Sequence, residues 1–189
     1  MNLPFGWWQL LGIPLGFVVS NAYEWFAHRY VLHGFGKRRE SFYSFHFHEH
    51  HQASRRHDMI DDKYERSPFG WHSQGKEVLA LASALLPMYA LVPWAPLFVL
   101  TLTYTTFEYY YCHRRAHRDP AWAKKHLPWH YDHHMGPDQD QNWCVTRPWF
   151  DHVMGTRVPY LGTEREVQDL ARAAQRAGAA VVATNAIAP

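Results

Sequence analysis

Residues 78–117 read VLALASALLPMYALVPWAPLFVLTLTYTTFEYYYCHRRAH, and up to Cys112 they carry one charge, Glu108. A chain folded in water spreads charge over every exposed face, so a gap this long needs a cause. Hydrocarbon is the simplest. Pro93-Trp94-Ala95-Pro96 interrupts the run, because proline cannot continue a helix interior. The stretch predicts a helical hairpin with arms at about 77-92 and 97-112. Each arm reaches roughly 24 Å at 1.5 Å per residue, against about 30 Å for a bilayer core. Either the arms extend into their flanks, or the hairpin is re-entrant, or it is buried inside a globular fold.

Working outward, residues 1–23 have no charged side chain at all. The segment 3-23 is long enough for one crossing, and Trp7 and Trp8 suit an interface. It lacks a positive leading region, which counts against a secretory signal. All 19 Lys and Arg fall in two blocks, Arg29–Lys76 and Arg114–Arg176. The positive-inside rule puts both in the cytosol. The expected fold is therefore an all-α integral membrane protein with about three apolar membrane helices, one single crossing plus the hairpin. A cytosolic helical cap built from 24-76 and 113-157 would hold the functional site. One domain spans 1-157. Residues 158-189 form a peripheral C-terminal helix and a frayed tail, opened by a capping box of Thr163 and Glu166. A net charge of +2 is too small to argue for nucleic acid. Cys112 and Cys144 are too few for a disulfide framework or an iron–sulfur cluster.

The chain has 15 histidines, and most are clustered. Each presumed membrane exit shares one order: Glu24, aromatics, His28-Arg29, His33, and then Glu108, aromatics, His113-Arg114, His117. Downstream of each lies a second cluster, His46-Phe47-His48-Glu49-His50-His51 and His130-Tyr131-Asp132-His133-His134. This is a degenerate internal duplication. His113 and His117 (i, i+4) share one helix face, as do His130, His133 and His134 (i, i+3, i+4). His28 and His33 (i, i+5) converge less well on a regular helix, unless the helix ends between them. In the first cluster Phe47 stands where a strict repeat needs histidine, so either His46 or His48 completes it. These eleven histidines suffice for two metals, since a tetrahedral site uses four ligands. Imidazole suits iron, copper and zinc. Interleaved Trp, Phe and Tyr favour a packed site over a flexible metal-buffering tract.

At these residues the chain resembles the fatty acid hydroxylase/sterol desaturase superfamily of membrane dimetal oxygenases. The resemblance rests on HRYVLH at 28–33, HFHEHH at 46–51, HRRAH at 113–117, WHYDHH at 129–134 and the closing run NWCVTRPWFDHVMGT at 142–156. It covers roughly residues 20–157. It departs from the family pattern at Phe47 and in having one crossing where two hairpins are usual. It implies a cytosolic centre of two iron ions, with zinc possible in purified samples, and dioxygen as co-substrate. The implied ligands are His28, His33, His50, His51, His113, His117, His130, His133 and His134, with His46 or His48. The implied reaction hydroxylates a C–H bond of a lipid from the bilayer, with electrons from a separate ferredoxin, cytochrome or reductase. A lipid desaturase with the same centre, or a non-enzymatic membrane zinc- or copper-binding protein, are the alternatives.

Glu24, Glu49, Glu108 and Asp132 are candidates to orient the imidazoles through their N–H groups. Tyr104, Phe107, Tyr109, Tyr110 and Tyr111 are candidates to line a substrate channel, or else form an interfacial aromatic belt.

Overall fold

The computed structural model describes residues 6–187, with side chains described through Arg176. Residues 3–5 of the expected first crossing and 188–189 of the expected tail lie outside this range. Every regular element among the described residues is a helix, and none is a strand. A 3-10 turn at Trp7–Leu11 leads into α1 (Gly12–Phe26), which continues without a break into a π-helical segment, Ala27–Phe35. A second π-helical segment, Phe45–His51, runs into α2 (Gln52–Arg56). After a 3-10 turn at Asp62–Glu65 come α3 (Ser73–Leu85), α4 (Pro96–Ala116), α5 (Pro120–His126), α6 (Pro128–Met135), α7 (Trp149–Val153) and α8 (Glu164–Ile187).

Proline and short polar side chains punctuate these elements. Pro96, Pro120 and Pro128 each open a helix, where the missing N–H costs nothing. Asp119 caps α5 by accepting from the Trp122 N–H at 3.0 Å. Pro87 stops α3, and the chain goes on as a 3-10 turn over Leu86–Leu91. The two arms of the expected hairpin are thus present as helices, with the reversal near Pro93.

α1 lies along α4. The approach is close enough that a Cβ on Gly12 would sit 2.8 Å from the Phe98 backbone nitrogen, and one on Gly16 2.7 Å from Thr101. Glycine at these two positions on one helix face is what lets the backbones approach so closely.

The expectation of an integral membrane protein is overturned. Among the described residues no helix is both long and apolar enough to cross a membrane. The three expected spans fail for separate reasons. The first is an α-helix of only 15 residues, and the π-helical segment that prolongs it carries His28, Arg29 and His33. The second is a helix of 13 residues ended by Pro87. α4 has the length, 21 residues, but carries Thr101, Thr103, Thr105, Thr106, three consecutive tyrosines and Glu108. A segment without charge is not thereby hydrocarbon-like. The membrane location and the cytosolic placement of the site, both derived from those spans, are withdrawn with them.

The buried interior is small in apolar terms. One cluster joins Met59, Ala116, Ala123, Leu127, Tyr131 and Tyr160, and another joins Trp25, Trp143 and Cys144. Between them the largest fully buried side chains are mostly histidines. The fold closes around imidazole.

Candidate metal centre

Two buried groups of histidines have ring nitrogens close enough together to hold metal ions. One is His28, His33, His46, His51 and His133; the other is His50, His113, His117 and His134, and within each group one nitrogen from every ring lies within 4.8 Å of the others. His130 abuts the second group, with its Nε2 3.1 Å from that of His117. The duplication in the sequence becomes a pseudo-symmetry in space. The first repeat gives His28, His33, His46 and His51 to one group and His50 to the other. The second repeat gives His113, His117, His130 and His134 to one and His133 to the other. Consecutive residues on a helix point about 100° apart. His50-His51 and His133-His134 therefore each place one ring in each group and bind the two groups side by side. The His51 and His134 rings are 4.3 Å apart between centroids.

Local helix type explains which spacings work. His28 and His33 lie on a π-helical segment, whose i→i+5 hydrogen bonds bring residues five apart onto one face. The helix does not end between them. His46 and His51, also five apart, are paired by the second π-helical segment. Phe47 is no defect there: its ring stacks on His51, 5.9 Å away. His46 is the member of the group. His48 points elsewhere and meets the Lys37 carbonyl oxygen at 3.0 Å.

Hydrogen bonding alone cannot account for the first group. His51 Nε2 has three neighbours, the Nε2 atoms of His33, His46 and His133, at 3.1, 3.2 and 3.1 Å. One ring nitrogen carries either one N–H or one lone pair, so it can satisfy one such neighbour and not three. His28 Nε2 lies 2.9 Å from that of His46. Two nitrogens at right angles on a metal, each at about 2.1 Å, are separated by about 3.0 Å. In the second group the Nε2 atoms of His50, His113 and His134 are buried with no hydrogen-bond partner. Buried polar atoms are normally paired, so these three orphaned nitrogens fit a cation between them.

The opposite ring nitrogens fix the tautomers. His28 Nδ1 donates to the Trp143 carbonyl at 2.5 Å, His133 Nδ1 to that of Gln141 at 2.7 Å, and His117 Nδ1 to that of Met59 at 2.8 Å. His50 Nδ1 donates to Asp61 at 3.0 Å, His113 Nδ1 to Glu77 at 2.7 Å, and His33 Nδ1 to Asp140 at 3.3 Å. With the proton held at Nδ1, each Nε2 turns a lone pair inward. Burial favours the neutral ring at nine of the clustered histidines. It drives His28, His46, His50, His51, His117, His130, His133 and His134 well below the usual imidazole range, and the neighbouring imidazoles push the same way. His33 is also lowered by burial, against the pull of Asp140.

The four carboxylates singled out from the sequence make other bonds. Glu24 accepts from the backbone N–H groups of Val145 and Thr146 and from the Thr146 hydroxyl. Glu49 pairs with Lys76, Glu108 with Arg147 and Asp132 with Arg157. Glu24 still serves the site at one remove. Together with Asp151, which accepts from the N–H groups of Trp143 and Cys144 at 2.8 Å each, it clamps the loop whose Trp143 carbonyl orients His28. The carboxylates that do touch histidines are Asp61, Glu77 and Asp140. They lie 11, 36 and 107 positions from their partners, and no short-range spacing announces them. Tyr64, also not foreseen, is buried with its hydroxyl donating to Glu77. Of the channel candidates, Tyr109 is buried and stacks on His113 at 5.5 Å. The Tyr110 hydroxyl donates to the Gln74 side-chain oxygen, while Tyr104, Phe107 and Tyr111 are more than half exposed on the outer face of α4. Comparison with protein-family models, curated proteins and solved structures finds no match.

Proposed function

We propose that the chain is a histidine-ligated dimetal oxidoreductase of the kind its likeness to the fatty acid hydroxylase/sterol desaturase superfamily implies. It would use dioxygen and external electrons to hydroxylate a C–H bond of an apolar, lipid-class substrate. The observation that supports this most is the pairing of two adjoining, buried, all-imidazole groups through His50-His51 and His133-His134. A mononuclear structural site has no need of a second group sharing its helices. A pair of iron ions bound there supplies the dioxygen chemistry that amino-acid side chains lack.

The chain's own residues have definable parts. His28, His33, His46, His51 and His133 would hold one ion, and His50, His113, His117 and His134 with His130 would hold the other. The carbonyls of Trp143, Gln141 and Met59 keep the proton on Nδ1. Trp143 packs its ring against His28, His33 and His133, and Tyr109 packs against His113, which excludes water from the ligand atoms. The exposed apolar side chains of α1 and α4, such as Val18, Leu100, Tyr104 and Phe107, offer an apolar substrate a surface to approach on. Electrons come from a separate ferredoxin, cytochrome or reductase. Removing two hydrogens instead of inserting oxygen would use the same residues.

Mössbauer spectroscopy of the chain loaded with iron-57 tests this. Ferrous iron that dioxygen converts to a spin-coupled ferric pair supports the proposal. Iron that is not retained, or that dioxygen leaves ferrous, overturns it.

A further inference from the structure

The two histidine groups match in number of imidazoles, five and five once His130 is included, but not in what stands behind them. Behind the second group are two buried carboxylates. Asp61 is fully buried and accepts from His50 Nδ1 at 3.0 Å. Glu77, 7 % exposed, accepts from His113 Nδ1 at 2.7 Å and from the Tyr64 hydroxyl. Lys63 reaches Asp61 only at 3.7 Å, and Glu77 pairs with no Lys or Arg side chain among the described residues. Behind the first group the acceptors are the carbonyls of Trp143 and Gln141 and Asp140, while the Gln139 amide N–H donates to His51 Nδ1. Asp140 is half exposed and already bound to Lys37 through both its oxygens, at 2.8 and 2.6 Å.

Two consequences follow from electrostatics. A buried carboxylate without a nearby cation is costly, so Glu77 calls for positive charge close by. A carboxylate that accepts from Nδ1–H makes the imidazole a stronger donor at Nε2, where a neutral carbonyl does so less. A divalent ion in the second group meets two buried negative charges one ring away. In the first group it meets neutral dipoles and a carboxylate that Lys37 has already neutralised.

We propose that the two groups bind metal unequally. The His50/His113/His117/His134 group is the high-affinity site and fills first, with Asp61 and Glu77 as its positioning residues. The His28/His33/His46/His51/His133 group fills second. This rests on the reading of both groups as metal sites and adds an order to it.

The test is a titration of the metal-free full-length chain with cobalt(II), followed by the visible absorption of the bound ion against a competing chelator. Two resolved steps are expected in the wild type. Glu77→Gln and Asp61→Asn should each weaken the first step about 10- to 100-fold, the usual effect of losing such a partner, and leave the second unchanged. Glu77→Asp should restore part of the loss. Asp140→Asn should leave the first step alone. If the glutamine and asparagine variants do not fold, the wild-type curve with His113→Ala and His28→Ala decides. His113→Ala should remove the tight step and His28→Ala the weak one. Two ions of equal affinity, or a tight step that follows His28, would overturn the order while leaving the metal reading intact. No cobalt bound at all would overturn both.

Discussion

At the scale of single residues, the site is decided by which nitrogen of each ring faces inward. His46 and His48 are two residues apart and indistinguishable by spacing. One is buried with its Nε2 between those of His28 and His51, and the other meets the Lys37 carbonyl near the surface. His46→Ala is therefore expected to cost the chain one bound metal, and His48→Ala none, as read by elemental analysis of purified protein. Equal metal content in the two variants would contradict the assignment. The i, i+5 pairs and the parting of His133 from His134 were not legible from spacing, but His113 with His117 was, because helical periodicity is local. The carboxylate partners were not, because Asp61, Glu77 and Asp140 reach the histidines through tertiary contacts. Glu24, Glu49, Glu108 and Asp132 stood near the clusters in sequence, yet nearness along a helix does not mean the same face.

At the scale of elements, the sequence marks where helices begin and end but not of which kind they are. Pro93, Pro96, Pro120 and Pro128 act locally, and the hairpin of α3 and α4 was readable from them. The π-helical segments Ala27–Phe35 and Phe45–His51 were not. A wider turn has no residue preference of its own. It is maintained where a tertiary demand outweighs the cost, here the need to bring side chains five apart onto one site. The reading of α4 as a membrane span failed for a related reason. Its charge-free stretch is rich in threonine, and the hydroxyls of Thr101, Thr103, Thr105 and Thr106 fold back onto carbonyls of their own helix.

At the scale of the whole molecule, a core made of imidazole ties stability to protons and to metal. Nine histidines are held below their ordinary value in the folded chain, chiefly by burial. In the unfolded chain they titrate near 6.5. Below that pH the unfolded state binds more protons than the folded one, so stability rises with pH. It is fully present above about pH 6.5 and is lost progressively as pH falls below that value through the lowered values of the folded chain. The metal-free chain should unfold cooperatively on acidification from pH 7.5 to 5, followed by circular dichroism. A flat signal over that range would mean the histidines are not buried neutral. Bound metal should move the transition to lower pH, because it stabilises the neutral rings in the folded state only.

The most direct measurement is the number of metal ions on each chain, by native mass spectrometry of full-length protein reconstituted with iron(II) and, separately, zinc(II). The pseudo-symmetric pair of histidine groups requires two ions per chain, falling to one in His28→Ala/His33→Ala and to one in His113→Ala/His117→Ala. A chain that binds no ion, or one ion that survives both double variants, would contradict a two-metal centre.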